Sequence, residues 1–202
     1  MGIGDSDHRR LFLAGATGAI GWPLLELALE RGYAVAGMTR TAAKADDLAE
    51  RGAEPVVCDV FDREATMAAV TAFAPDVVVH QLTDLPDERE LLPEFFAANS
   101  RVRREGTRNL VDAARAAGAR RLLAQSVAWS LPGEGGIAVT EHETMVLEFG
   151  GVVVRYGQFY GPRTYHEHDR PDPPRVHVHD AARRTLDLVD APSGIVVITD
   201  DD

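Results

Sequence analysis

The chain has one cysteine, one lysine, no long apolar run and a deficit of positive charge. Cys58 has no second thiol to pair with, so an internal disulfide is excluded and a buried thiol beside a strand is expected. No stretch approaches the roughly 20 apolar residues of a membrane span, and the polar segment Met1 to Arg10 holds no signal-peptide core. A net charge of −11 argues against nucleic acid or an anionic membrane surface as partner. These absences predict a soluble, cytoplasmic protein.

What is present fits one domain. The 202 residues suffice for a single good-sized core, and 45% apolar content is ordinary for one. Short apolar runs at 10–14, 33–38, 55–57, 77–80, 121–125, 152–155 and 195–199 alternate with helical patterns. The predicted helices cover 20–31, 42–51, 63–73, a long 93–117, 141–148 and 181–189. Such alternation means an α/β fold, a doubly wound parallel sheet covered by helices on both faces. Val77-Val78-Val79 and Val152-Val153-Val154 are uniformly apolar and β-branched, as strands buried on both sides should be. Thr140 with Glu143 reads as a capping box, and Asp180 as a helix cap. Residues 130–139 and 166–175 read as loops, rich in glycine and proline respectively.

The first strand runs into Gly15-Ala16-Thr17-Gly18-Ala19-Ile20-Gly21. Three glycines at this spacing, between a buried strand and a helix, permit a tight turn and a close backbone approach to a pyrophosphate. The helix N-terminus adds unpaired N–H groups and the positive end of its dipole. After the second strand comes Arg40, with no carboxylate before Asp46. An acidic residue there would bond the ribose of NAD, whereas an arginine accommodates the 2′-phosphate of NADP, so the expectation is NADP(H) over NAD(H).

From these residues onward the chain resembles the extended short-chain dehydrogenase/reductase family, the NAD(P)-dependent epimerase/dehydratase group. The further matching residues are Cys58-Asp59-Val60, His80-Gln81-Leu82, Asn99, the Gly106-Thr107-Arg108-Asn109-Leu110 block and Gln125-Ser126. They continue with the block from Arg155-Tyr156-Gly157 to Tyr160-Gly161-Pro162, then His177-Val178-His179-Asp180. The resemblance implies one Rossmann-like domain over 1–202, with a cofactor half at 9–125 and a reduced substrate half at 126–202. It also implies that Asp59 and Val60 border the adenine, that Gln81 and Leu82 pass the pyrophosphate and ribose, and that long helices can form a homodimer.

Family chemistry uses a serine and a Tyr-x-x-x-Lys pair, in which lysine lowers the tyrosine pKa so that it can move a proton. The single lysine here is Lys44, and the pair is absent. If Glu143 matches the glutamate that follows the family lysine, the tyrosine and lysine positions fall at Gly135 and Val139. Ser126 is the remaining member of the three. His142, Glu141 and Tyr160 are the other titratable candidates, and a catalytic set of Ser126, His142 and Tyr160 is the working expectation, with His142 in the first turn of a solvated helix. The histidines at 166, 168, 177 and 179 give weak metal spacing, and no metal is expected. Three functions follow: reduction or epimerisation of a small carbonyl or hydroxyl compound, non-redox cyclase, isomerase or dehydratase chemistry on the same fold, or NADP(H) sensing without catalysis.

Overall fold

The computed structural model describes residues 9–86 and 88–200. Strand β1 (Arg10–Ala14) leads through the glycine turn into α1 (Gly21–Glu30), then β2 (Ala34–Thr39), α2 (Ala45–Glu50) and β3 (Glu54–Val57). Helix α3 (Arg63–Phe73) and β4 (Val77–His80) complete the first half. A long helical stretch follows: a 3-10 segment at Arg89–Phe95, α4 (Phe96–Arg101), a π turn at Val102–Gly106 and α5 (Thr107–Ala116). The second half holds β5 (Arg121–Val127), α6 (Gly133–Phe149), β6 (Val152–Tyr156), β7 (Gln158–Tyr160), β8 (Arg175–His177), α7 (Val178–Asp187) and β9 (Gly194–Ile198).

Seven strands form one parallel sheet in the order β3-β2-β1-β4-β5-β6-β9, and β7 pairs with β8 in a small separate ladder. The order reverses between β1 and β4, which is where open α/β sheets bind ligands outside their carboxyl ends. Alternate residues of one strand feed two cores. Leu11 and Leu13 pack toward Leu24, Leu25, Ala181 and Leu186 of α1 and α7, whereas Phe12 and Ala14 pack toward Phe73, Leu110 and Ala114 of α3 and α5. Burying each of these leucine and phenylalanine side chains contributes roughly 1.5–3 kcal/mol. Ala14 lies level with Met38 of β2 and with His80 of β4, so three strand ends form one rim.

The expected Rossmann-like sheet is present, with four local corrections. The glycine-rich segment expected to be a loop is mostly helix, because α6 begins at Gly133 and runs 17 residues. Thr140 is therefore no cap: it sits inside α6 and donates to the carbonyl of Gly136, one turn back, at 3.0 Å. The long predicted helix is interrupted by the π turn. At α7 the cap is His177, which accepts from the His179 N–H, and Asp180 lies in the first turn.

Candidate functional site

The cofactor cleft is built from backbone. Gly15 adopts φ +87°, and a Cβ there would stand 2.7 Å from the carbonyl oxygen of Gln81. At Gly21 a Cβ would stand 2.1 Å from the Gly15 oxygen, so α1 can begin this close to the turn only without a side chain. The Gly18 N–H closes the turn on Gly15 O at 3.1 Å, and the N–H groups of Gly15 and Ala16 both donate to Met38 O. Thr17 bonds Thr39 across the mouth at 3.2 Å, Ile20 is buried behind the turn, Ala19 is half-buried beside it, and Gly18 is exposed. This is a cradle that side chains would fill, at the sheet's switch point. It fits a dinucleotide.

The neighbouring predicted residues gather around the same rim. Arg40 leaves the end of β2 half-exposed and bonds Asp84, beyond β4, at 2.9 Å. Asp59 accepts from the Phe61 N–H at 3.0 Å, and the buried Val60 receives Asn109 Nδ2 on its carbonyl at 2.9 Å. Gln81 is buried at the floor. Its amide donates to the Tyr156 hydroxyl at 3.1 Å, while its Oε1 has no partner among the described residues. A buried acceptor without a donor is costly, and a ligand hydroxyl would satisfy it. Burial raises the Tyr156 phenol to about 12, against the hydrogen bonds from Thr185 and Gln81, so it stays protonated.

Helix α6 carries two adjacent residues in opposite directions. His142 is buried mid-helix rather than solvated at a first turn, with Nδ1 2.7 Å from Thr107 Oγ1 and Nε2 2.8 Å from the Gln125 carbonyl. Burial is the main cause that lowers its pKa to about 4, and Arg103 adds to it. Glu143 instead turns toward β5 and β6, where it receives Ser126 Oγ at 2.6 Å and Arg155 on both oxygens. Burial alone would raise the Glu143 pKa, but these hydrogen bonds hold it below the usual carboxylate range. Ser126 thus spends its proton on Glu143.

Beside this cluster lies a cleft of about 270 Å³, lined among others by Trp129, Leu131, Val139, Thr140, Glu143 and Arg155. The expected lysine position, Val139, faces into it, and Gly135 lies one turn earlier on the same helix. Tyr160 is elsewhere, on β7, donating to Asp200 at 2.9 Å; burial and that bond raise its pKa. Glu141 pairs with Arg104. The structure therefore brings Ser126 and His142 to neighbouring turns of β5 and α6 and leaves Tyr160 on the separate small ladder. Reading the sequence alone placed Thr107, Arg155 and Glu143 in family positions without finding their contacts, and did not single out Asp84 or Trp129 for the site. No pattern in the sequence flags a threonine between two histidines 62 residues apart. Among the described residues no group of side chains could hold a metal ion, and no helix is long and apolar enough to cross a membrane.

Residues 15–142 match the NAD(P)H-binding family model. The chain belongs to this family, as an atypical short-chain dehydrogenase/reductase. It is 38% identical to a 3-diazoavenalumate denitrifying reductase from a Streptomyces species, covering 96% of this chain and 76% of that protein. That alignment spans 236 positions, more than the whole chain, so the relative carries segments inside the aligned span that this chain lacks. A UDP-glucose 4-epimerase of Thermus thermophilus, solved with NAD, shares the fold at TM-score 0.79 and 20% identity, over 96% of this chain and 78% of that one. An anaerobillin reductase of Escherichia coli shares it at TM-score 0.70 and 22% identity, over 96% and 98%. Family membership and the 38% identical reductase make the protein an NAD(P)-dependent, oxidoreductase-like enzyme.

Proposed function

We propose that this protein is an NADPH-dependent reductase that replaces the diazo group of a planar, aromatic diazonium compound with hydrogen. The single observation that carries the reading is that α6 has Gly135 and Val139 where the family resemblance puts a proton-moving tyrosine and lysine, and that Val139 lines the cleft. Reduction of a carbonyl needs a proton on oxygen, and the titratable side chains described in this cleft are Glu143, held ionised, and the Arg155 bound to it. Removal of dinitrogen does not need it. When bound, the nicotinamide supplies a hydride; a C–H bond forms on the carbon, and the C–N bond breaks as its electron pair leaves with N₂. Charge balances with no proton drawn from the protein. The 38% identical relative is named for a denitrifying reduction of a diazo compound, which supports the same class.

The residues present have matching tasks. The cradle at Gly15, Thr17, Gly18, Ala19, Ile20 and Gly21 would hold the pyrophosphate, Asp59 and Val60 the adenine side, and Gln81 and Leu82 the ribose. Arg40 would take the 2′-phosphate of NADP(H). Trp129, with an exposed aromatic face on the cleft, would stack a flat substrate. The Arg155–Glu143 pair would keep the wall locally neutral, and Ser126 would hold Glu143 in place. Tyr160 and His142 have no part in proton delivery on this reading.

The test is to incubate the enzyme with an aromatic diazonium acid and NADPH deuterated at the transferring carbon. One NADPH consumed per substrate, with deuterium on the ring carbon that bore nitrogen, is the expected result. Substrate loss without NADPH oxidation, or product hydrogen drawn from water, would sink the reading.

A further inference from the structure

The buried polar groups behind the cofactor cleft form a closed circuit. The Leu82 N–H donates to His80 Nδ1 at 3.2 Å, which leaves the proton of this neutral imidazole on Nε2. His80 Nε2 lies 3.0 Å from Thr107 Oγ1, which in turn lies 2.7 Å from His142 Nδ1. His142 Nε2 faces the Gln125 carbonyl at 2.8 Å, and a carbonyl only accepts, so the proton is on Nε2 there too. Thr107 therefore accepts from His80 and donates to His142. The Gln125 side chain then returns to Leu82, donating to its carbonyl at 2.9 Å. Both backbone groups of Leu82 are engaged by one ring of five hydrogen bonds.

Two fixed backbone groups terminate the His80–Thr107–His142 run, a donor at one end and an acceptor at the other. Only one arrangement of protons satisfies it, so the run cannot pass a proton back and forth. His80, Thr107 and His142 are all buried. Thr107 follows directly on the π turn Val102–Gly106, a wider turn of a kind often found at functional sites. The two rings meet edge to face, with centroids 5.4 Å apart. Arg103 and Glu143 are the charged groups whose fields reach His142, and His142 is the titratable neighbour of His80.

We infer that Thr107, with His80 and His142, forms a positioning device for the dinucleotide: the circuit fixes the main chain at Gln81 and Leu82 against the glycine turn. This rests on the proposed role of those two residues in the cofactor cleft. The Gly15 Cβ direction points at the Gln81 carbonyl, so a shift of this segment alters the space in which a pyrophosphate must lie. Satisfied low-dielectric networks of this kind hold one geometry, and losing one link leaves the others unpaired.

The experiment titrates the full chain and its Thr107→Val and Thr107→Ser variants with NADPH by fluorescence, beside thermal unfolding of each. Thr107→Val keeps the shape and removes the hydroxyl; it should weaken NADPH binding by about tenfold or more, and Thr107→Ser should restore it to within about threefold of wild type. Unchanged NADPH affinity in Thr107→Val, with or without a lower unfolding temperature, overturns the inference and leaves the circuit a purely structural one. Equal loss in both variants overturns it too. Wild-type protein that binds neither NADPH nor NADH defeats the cofactor reading itself. If Thr107→Val does not fold, wild type decides: NADPH must slow hydrogen exchange at the Leu82 amide, and imidazole ¹⁵N shifts must give Nε2–H at both histidines near about pH 7. Titration of either ring between about pH 5 and 8, or Leu82 exchange indifferent to NADPH, overturns it.

Discussion

Glu143 takes the Arg155 guanidinium on both carboxylate oxygens, at 2.9 and 2.6 Å, and Ser126 donates to one of them at 2.6 Å. The pair ties α6 to β6 and β5 together at the edge of the substrate cleft. Glu143 is buried while Arg155 keeps a partly exposed side chain. Glu143→Gln removes the charge and one acceptor oxygen, leaving the guanidinium poorly matched. The expected cost is about 2–3 kcal/mol, the range for hydrogen bonds to charged groups, read from the urea midpoint at constant slope. A loss under about 0.5 kcal/mol would mean that solvent replaces the pair freely.

The neighbouring residue sets a pH dependence of stability. In the unfolded chain His142 titrates near about 6.5; in the fold, burial lowers it to about 4. Between these values the unfolded state binds more protons, so stability rises with pH across the window and is fully present above about 6.5. Lowering the pH from about 6.5 to about 4 should remove about 3 kcal/mol through His142, with His80 adding in the same direction. Glu143 acts in the same sense at lower pH, because its carboxylate is held below its usual value. Urea unfolding at stepped pH checks this: a curve flat between about 4 and 6.5 would contradict the buried neutral assignment.

The fold was legible because its signals are local and repeated. Every predicted sheet strand stands within a residue or two of its place, since apolar runs such as Val77-Val78-Val79 admit one reading. The glycine turn was legible because a tight turn between strand and helix leaves a sequence mark at Gly15, Gly18 and Gly21. Helix α6 was not. Its first turns hold three glycines, whose weak propensity reads as loop, and tertiary packing of Ala138, His142 and Val146 overrides it. The same error put His142 at a solvated helix start. The contacts of Thr107 and Asp84 were not legible because their partners lie far along the chain, His142 and Arg40, and no periodicity links them.

Two adjacent glycines of α6 separate propensity from packing. A Cβ on Gly135 would meet Leu131 Cβ at 3.7 Å, an ordinary contact, whereas one on Gly136 would stand 2.2 Å from the Leu131 carbonyl oxygen. Gly135→Ala should stabilise the protein by about 0.5–1 kcal/mol through helix propensity. Gly136→Ala should destabilise it by about 1–3 kcal/mol, because backbone has to move. Thermal unfolding of the two variants should therefore shift in opposite directions. Equal shifts would mean that α6 does not begin as early as Gly133.

Arg40 and Asp84 close on each other across the cofactor mouth at 2.9 Å, from the ends of β2 and β4. The Asp84 carboxylate occupies the guanidinium much as an anionic ligand would, so on the proposed NADP(H) reading it competes with the 2′-phosphate. If Arg40 reads that phosphate, Arg40→Ala should weaken NADPH by roughly 10–100-fold, the equivalent of one or two charged hydrogen bonds. NADH, which has no phosphate there, should change less than about threefold. Asp84→Asn releases the guanidinium and removes a repelling charge, so NADPH should bind several-fold tighter while NADH stays the same. Fluorescence titration of both nucleotides against the three proteins distinguishes the outcomes. Equal losses of NADPH and NADH in Arg40→Ala would assign Arg40 to the shape of the cleft rather than to phosphate. An Asp84→Asn variant that loses NADPH would mean that the ion pair shapes the mouth the cofactor needs.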